Sequence, residues 1–302
     1  MNTLGTLTAE NKEFYERALL KRLTPNLVFT KYGQKKSAPK NEGDTVNFRR
    51  FNSLPISTTP LQEGVTPTGD DITVTTVKAT VTQFGRFATI TDKLDLMGID
   101  PVVTETVQVQ GEQAGMTIDT VSRNEIVNGT NVQYSGGRAN TDALTAADVL
   151  TSTDVKKAVR TLRKANAKPK EGKFFIGVVD PDVAYDLMSD PLWQDVSKYN
   201  GGTAIMEGEI GKLHGVRFIE TTNTNTHENA GGVMVHDTMI IGADAYGIVD
   251  ISGSSKPEVI VKPLGSGDDP LNQRSTCGWK CLFTAKRLQE LAMVRIESAV
   301  SA

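Results

Sequence analysis

Cysteine, histidine and aromatic residues are scarce in this chain of 302 residues. It has two cysteines and three histidines, and Phe, Trp and Tyr make up 6% of the sequence. A zinc site usually takes four Cys or His ligands held together, whereas these five residues are widely scattered. Cys277 and Cys281 also lack the C-x-x-C spacing of redox motifs. We therefore expect no metal site, and two packed thiols in a reducing compartment.

Long hydrophobic runs are missing as well. The longest apolar run, residues 174–179, is far shorter than the ~20 residues that a membrane helix needs. The N-terminus MNTLGTLTAE lacks the basic and apolar regions of a signal peptide. We expect a soluble, cytosolic chain with no membrane partner.

Motifs of the common catalytic and cofactor sites are also missing. The chain contains no phosphate-binding G-x-x-x-x-G-K-[ST] loop, no G-x-G-x-x-G fingerprint and no G-x-S-x-G elbow. His236-Asp237 is an isolated pair, without the further His and Asp of a metal phosphohydrolase. Glu207, Glu209 and the run 268–270 (DDP) are interpreted as solvated turns. We therefore expect no catalytic residues, no cofactor and no enzymatic activity.

The segment 42–67 is the most informative part of what is present. Its sequence, EGDTVNFRRFNSLPISTTPLQEGVTP, predicts two extended arms around a tip rich in Pro, Ser and Thr. A strand is expected over 45–51, the tip over 54–69, and a long Thr/Val strand over 71–91. The alternation of that strand slips parity near residues 75–77, which suggests a bulge or a strong twist. An isolated two-stranded ribbon is marginal in water. We expect it to lie on another copy of the chain, which favours an assembly protein.

Positive charge is concentrated in residues 17–50, which carry nine Lys or Arg against two acids. That segment is +7, and the rest of the chain is −10. A basic arm on an acidic body suits head-to-tail association, although contact with nucleic acid stays open. We list as candidate contacts between subunits Lys35, Lys36 and Lys40 on the arm and Arg49, Arg50 and Glu63 on the loop. Each could equally be a solvated charge.

A long helix is predicted from Pro101 to Asn128, with Asp100 as its N-cap. Twenty-eight residues span about 42 Å at 1.5 Å per residue, so this helix is a strut. Gly111 and Gly115 lie four residues apart on one face. We expect the helix to flex there, or a neighbouring element to approach closely.

The remaining pattern is mixed. A helix is expected within residues 8–30, ended by Thr24-Pro25. Two more helices are expected over 153–166, capped by Thr151 or Ser152, and over 181–188, with Asp180-Pro181 as its cap and first-turn proline. Strands are expected over 174–179, 216–221, 233–235, 238–241 and 259–261. No β-α-β alternation or internal repeat is present, so the fold class is α+β.

Several runs of the sequence resemble a known family. They are LTPNLVFTKYGQKKSAPKNEGDTVNFRRFNSLP, LQEGVTP, FGRFATITD, GEIGKLHGVRFIET, IIGADAYG and DPLNQRSTCGWKCLFTAKRL. In this order they are similar to the major capsid proteins of tailed phages typified by coliphage N-four. The resemblance covers about residues 19–297 and is weak over 130–150 and 222–232.

The resemblance implies the Hong Kong 97-type capsid fold. The expected parts are an N-terminal arm (1–44), an extended loop (45–91), a peripheral domain (92–171) with a spine helix (100–128), an axial domain (172–269) and a return to the peripheral domain (270–302).

The implied function is that of a major capsid protein. Copies would assemble as pentamers and hexamers into an icosahedral shell around double-stranded DNA, which the inner face would contact non-specifically. Further partners would be a separate scaffolding protein, a portal and a decoration protein. The protein would be assembled in the bacterial cytoplasm and end in the virion capsid. An encapsulin-like cargo shell and a tail or fibre protein are the alternatives.

Overall fold

The computed structural model describes residues 9–23, 27–37, 44–52, 54–97, 101–193, 209–249, 256–265 and 270–301. Its helices are α1 (Ala9–Leu23), α2 (Phe29–Tyr32), α3 (Asp92–Met97), α4 (Val102–Val127), α5 (Ser152–Lys164) and α6 (Pro181–Ser189). No helix within these ranges is long and apolar enough to cross a membrane.

Fifteen strands lie in the described ranges. They are β1 (Gln34–Lys36), β2 (Thr45–Phe51), β3 (Val74–Thr80), β4 (Thr82–Thr91), β5 (Val132–Tyr134), β6 (Phe175–Val179), β7 (Glu209–Leu213), β8 (Val216–Glu220), β9 (Thr226–Glu228), β10 (Met234–Ile241), β11 (Tyr246–Val249), β12 (Glu258–Lys262), β13 (Arg274–Phe283), β14 (Ala285–Arg287) and β15 (Met293–Ser298).

These strands form four sheets. The largest has the order β5-β15-β10-β6-β8-β7, with β9 paired to the outer part of β10. Two three-stranded sheets have the orders β1-β11-β14 and β12-β13-β4, and β2 pairs only with β3. The mixture of helices and sheets confirms the α+β class predicted from the sequence.

The largest sheet is buried on both faces. In β6, Ile176 and Val178 face a core that includes α1 and α4, whereas Phe175 and Val179 face a second core built with α5 and α6. Side chains of a strand alternate between the two faces, so a strand covered on both sides must be apolar throughout. This explains the continuous apolar run predicted to be a buried strand.

Helix α4 crosses the first core as one unbroken helix of 26 residues. Its buried positions recur every three or four residues, as in the series Val107, Gly111, Ala114, Ile118, Ser122 and Ile126. The predicted strut is therefore confirmed. Pro101 precedes the first helical residue, and the predicted cap, Asp100, lies outside the described residues.

The described part of the N-terminal segment packs on its own chain. Leu19 and Leu23 of α1 are fully buried against the first core, and Phe29 and Tyr32 of α2 are buried beside them. Strand β1 pairs in parallel with β11, with Lys35 opposite Ile248. Helix α1 ends at Leu23, directly before the Thr24-Pro25 pair that was predicted to end it, and a second short helix, which was not predicted, begins at Phe29.

The long strand predicted over 71–91 is divided in two. Strand β3 pairs with β2, and β4 pairs with β13 over ten residues. Between them, the amide of Val81 donates to the carbonyl of Asp44 at 2.7 Å, so the chain changes sheets there. Of the two irregularities predicted near residues 75–77, a bulge is absent, since the pairing of β2 with β3 is regular at those positions, and a strong twist stays a prediction.

Two helix starts agree with their sequence signals. Thr151 caps α5, and Asp180 caps α6 with Pro181 in the first turn. Strand β10 runs unbroken through His236-Asp237, so the two strands predicted over 233–241 are one. The polar pair suggested an interruption, but both side chains are buried within the sheet.

Strands on either side of the expected domain boundary at residue 270 pair with each other. Strand β15 lies in the large sheet beside β10, and β12 pairs with β13. The five-part division of the chain stays a prediction.

Candidate assembly surfaces

The β2–β3 hairpin is anchored at its base. Val46, Phe48 and Ala79 are buried in the first core. The ring of Phe48 lies directly on Gly247 of β11, where a Cβ would come within 2.4 Å of the ring. The base of the hairpin therefore belongs to the subunit's own core.

The outer part of the hairpin has no such cover. Every residue from 54 to 76 is exposed, and Asn52 and Thr73 close the ribbon through a backbone hydrogen bond of 3.0 Å. The exposed residues include large apolar side chains, of which Ile56 is 89% and Leu61 78% exposed. We call residues 54–72 the loop. Apolar side chains held away from the core in this way indicate a surface for another macromolecule.

A second exposed apolar surface lies between β4 and α4. We call it the β4–α4 groove; it has a volume of about 710 Å³ and is lined by residues that include Arg86, Phe87, Val102 and Val109. Phe87 is 74% exposed, although it is a large aromatic side chain on a strand. The groove therefore offers apolar area that the subunit itself does not cover.

The lysines predicted on the arm differ in their surroundings. Lys35 and Lys36 are both exposed on β1. The ammonium group of Lys36 donates to the carbonyl of Asn47 and lies 5.9 Å from the ring centroid of Phe48. Lys36 thus ties β1 to the base of the hairpin, while Lys40 lies outside the described residues.

The charged residues predicted on the hairpin are all exposed. Arg49 and Arg50 lie on β2 opposite Thr76 and Thr75, and Glu63 lies in a turn of the loop. None of the three forms an ion pair with another residue in the described ranges. The structure does not bring these charges together with the arm lysines, so a role in subunit contacts stays a prediction.

Gly111 and Gly115 are both buried on α4. A Cβ at Gly111 would lie 2.4 Å from the carbonyl oxygen of Leu19, so helix α1 approaches closely at this point. Of the two roles predicted for this glycine, the structure shows the close approach, and the neighbour is α1 of the same chain. Flexing of α4 stays a prediction.

The sequence-based predictions did not include a basic surface on α5. Lys156, Arg160, Arg163 and Lys164 are exposed on one side of this helix, and Asp154 pairs with Lys157 instead. None of the four has a carboxylate within 4 Å among the residues that the structure describes. Residues 152–173 carry eight Lys or Arg against two acids. The chain outside residues 17–50 is therefore not uniformly acidic. Counting charges over residues 152–173 alone would have predicted this basic segment from the sequence.

The two thiols are buried, as predicted. Burial raises the pKa of Cys277 and of Cys281 to about 11, so both stay protonated near neutral pH. Gln110 of α4 donates to the backbone carbonyl of Cys277 at 2.8 Å. Their role is packing between α4 and β13.

His236 is not isolated, contrary to the sequence-based expectation. Its Nδ1 lies 3.2 Å from a carboxylate oxygen of Asp180, and Asp182 is close by. These acids are more than 50 residues away along the chain, so only the pairing of β6 with β10 reveals the cluster. In the sequence, His236-Asp237 looked isolated because Asp180 and Asp182 lie at the end of a different strand, β6.

Comparison with protein families and curated sequences gives one match. The family model described as phage capsid protein matches residues 73–296, most of the chain. No curated protein matches the sequence.

Solved structures with the same fold include phage capsids. The capsid of Ralstonia phage GP4 superposes with a TM-score of 0.71 at 12% identity, covering 90% of this chain and 88% of that one. The capsid of cyanophage P-SCSP1u gives 0.67 at 18% identity, covering 91% and 89%. These likenesses confirm the capsid fold of Hong Kong 97 type.

The same fold occurs in a virus-like particle from Pyrococcus furiosus. That structure superposes with a TM-score of 0.57 at 12% identity, covering 95% of this chain and all of that one. Fold alone therefore does not separate a phage capsid from another closed particle, whereas the family match does.

Proposed function

The chain belongs to the phage capsid protein family, and from this membership we propose that it is the major subunit of a tailed phage's icosahedral shell. Copies assemble as pentamers and hexamers around double-stranded DNA. Membership in a structural family implies a non-enzymatic role, and we extend this to the absence of any catalysis. The observation that carries the proposal is the loop, whose apolar side chains are exposed in the single subunit.

The loop of one subunit enters the β4–α4 groove of the next. Both surfaces present exposed apolar side chains, and burying one Ile or Leu side chain contributes ~1.5–3 kcal/mol. Glu63 of the loop can pair with Arg86, which lines the groove together with Glu105. A head-to-tail contact of this kind repeats around a ring and multiplies a modest affinity over the whole shell.

Electron microscopy and sedimentation of the purified protein test this assembly. We expect closed particles or their capsomers, alone or with a scaffolding protein, and monomers under every condition would contradict the proposal. Leu61→Asp and Phe87→Asp should each block particle formation. Leu291→Asp is the matched control, since Leu291 is an exposed leucine that belongs neither to the loop nor to the lining of the groove.

A charge reversal tests whether the two surfaces meet. Glu63→Arg and Arg86→Glu should each slow assembly, and the double variant should recover part of the loss. If the double variant is only additively impaired, the loop binds elsewhere on the neighbour.

The exposed cations of α5 contact the packaged DNA. Four exposed cations along one side of a helix suit a row of phosphates, and such contacts need no base sequence. Replacing Lys156, Arg160, Arg163 and Lys164 by Gln should reduce the slope of log K for DNA against log salt by about 3.6, at ~0.9 per phosphate contact.

A matched set of exposed cations on β1 and the hairpin is the control for this measurement. Lys35, Arg49, Arg50 and Lys78 are also exposed, but they lie on β1, β2 and β3 and not on α5. If replacing these four residues reduces the salt slope and replacing the four cations of α5 does not, the DNA lies against β1 and the hairpin.

A scaffolding protein, a portal and a decoration protein complete the proposed partners. Assembly takes place in the bacterial cytoplasm, and the five-part division from arm to peripheral return describes how the subunit is laid out in the shell.

Because exposed charge pairs weaken as the Debye length falls from ~10 Å at 0.1 M to ~3 Å at 1 M salt, the arm lysines should make assembly salt-sensitive.

A further inference from the structure

Three potential metal ligands meet where β6 ends and α6 begins. Asp180 follows the last residue of β6, Asp182 lies in the first turn of α6, and His236 lies on β10. Strands β6 and β10 are antiparallel neighbours with Val178 opposite Met239, which brings His236 to the end of β6. One ligand atom from each residue lies within 4.8 Å of the other two.

His236 points an unpartnered nitrogen into this cluster. The residue is 6% exposed, and its Nδ1 has no hydrogen-bond partner in the described structure. The nearest carboxylate oxygen, on Asp180, is 3.2 Å away but is not placed to complete a hydrogen bond. A buried polar atom without a partner is rare in folded proteins, so this one points to a missing ligand.

The spacing fits a bound cation. Bonds of ~2.0–2.1 Å to zinc place neighbouring ligands of a tetrahedral site about 3.3 Å apart, close to the separation of Nδ1 and the Asp180 oxygen. The other oxygen of Asp180 accepts from the hydroxyl of Thr224 at 2.7 Å, which fixes the carboxylate as outer partners of metal ligands do. Asp182 is exposed, so its side chain is free to turn toward the ion.

We propose that Asp180, Asp182 and His236 bind one divalent transition-metal ion of the zinc class. One imidazole nitrogen and two carboxylate oxygens suit such an ion, whereas calcium and magnesium prefer oxygen ligands alone. Two carboxylates outweigh the half positive charge at the N-terminus of α6. The exposed side of the site leaves room for water as a further ligand, and the bound ion holds the start of α6 against β10.

Titration of the metal-stripped, full-length protein with zinc chloride tests the site by calorimetry. We expect saturable binding of one equivalent and a rise of several degrees in the unfolding temperature with excess zinc. Asp182→Asn should weaken binding at least tenfold, and His236→Gln should abolish it. Binding by the cysteines does not interfere, because both thiols are buried and protonated.

The control is Asp95→Asn, which removes an exposed carboxylate from the first turn of another helix, α3. Its zinc affinity should equal that of the unaltered protein. If His236→Gln does not fold, Asp182→Asn still decides, since its side chain is exposed. Absence of saturable zinc binding, or equal affinity in Asp182→Asn, overturns the proposal and leaves Asp180 and His236 as a plain ion pair. Particle assembly does not enter this test, so its outcome is independent of the proposed function.

Discussion

The large sheet and the β2–β3 hairpin are built from the same extended backbone, yet their side chains have opposite surroundings. All five residues of β6 are buried, because α4 covers one face of the sheet and α5 and α6 cover the other. From residue 54 to residue 76, no residue of the hairpin is buried. Apolar residues occur in both regions, so composition does not separate them.

The difference lies in the covering layer. Ile176 is enclosed by elements of its own chain, whereas Ile56 has none near it. We infer that the sheet stabilises the single subunit and that the loop contributes stability only after a neighbour covers it. Substitutions in the two regions should therefore act on different quantities.

The largest loss of stability is expected in the sheet. Phe218 on β8 is fully buried and packs edge-on against Trp193 with ring centroids 5.8 Å apart. Phe218→Ala should lower the free energy of unfolding by about 3–5 kcal/mol, measured by chemical denaturation of the subunit. Phe87→Ala removes the same side chain from an exposed position and should cost less than about 0.5 kcal/mol. Equal losses in the two variants would remove the distinction between the regions.

A smaller loss is expected where α1 meets α4. Gly111→Ala places a Cβ against the Leu19 carbonyl, so α1 must shift, and overpacking of this kind costs about 1–3 kcal/mol. Gly69→Ala is the control, since a Cβ there meets nothing within 4 Å. Stabilisation by Gly111→Ala would show that the close contact is absent and would favour the flexing role.

The smallest effect concerns the pH dependence of the same junction. Asp119 of α4 is buried and accepts hydrogen bonds from the amides of Val28 and Thr30, both 3.0 Å long. Burial raises the pKa of Asp119 despite these bonds, and burial also raises the pKa of Asp237 on β10. A raised carboxyl pKa means that the native state takes up the proton before the unfolded state does.

The penalty for burying the Asp119 charge is therefore present at neutral pH. It is relieved as the pH falls through the raised pKa, and it is absent below the ordinary value of 3.8. The unaltered protein should gain stability relative to Asp119→Asn as the pH is lowered from 7 toward 4. Asp70→Asn, at an exposed position on the loop, should show no such trend. If the difference in unfolding free energy between the unaltered protein and Asp119→Asn is the same at every pH, the raised pKa of Asp119 is contradicted.

Much of the fold follows from local sequence signals. Asp180-Pro181 predicted the start of α6, and the 3.6-residue pattern predicted α4, because caps and periodicity depend on residues a few positions apart. The exposed loop followed from its Pro, Ser and Thr content. Such features need no knowledge of distant contacts.

The misplaced features depend on contacts between distant parts of the chain. The strand break at Val81 follows from a hydrogen bond to Asp44, and the role of Gly111 follows from Leu19 on another helix. The partners of His236 lie at the end of a different strand. Each is a property of the packed structure, which propensity and spacing in one segment do not encode.

Deleting the loop tip tests the central claim most directly. Residues 54–69 are replaced by an Asn-Gly turn, and the free energy of unfolding and the assembly of particles are measured on the same variant. We predict an unfolding free energy within about 1 kcal/mol of the unaltered protein, because the deleted residues touch no core, together with the loss of stable shells. A loss of stability of about 3–5 kcal/mol, as for a core cavity, or the normal assembly of particles, would contradict the account.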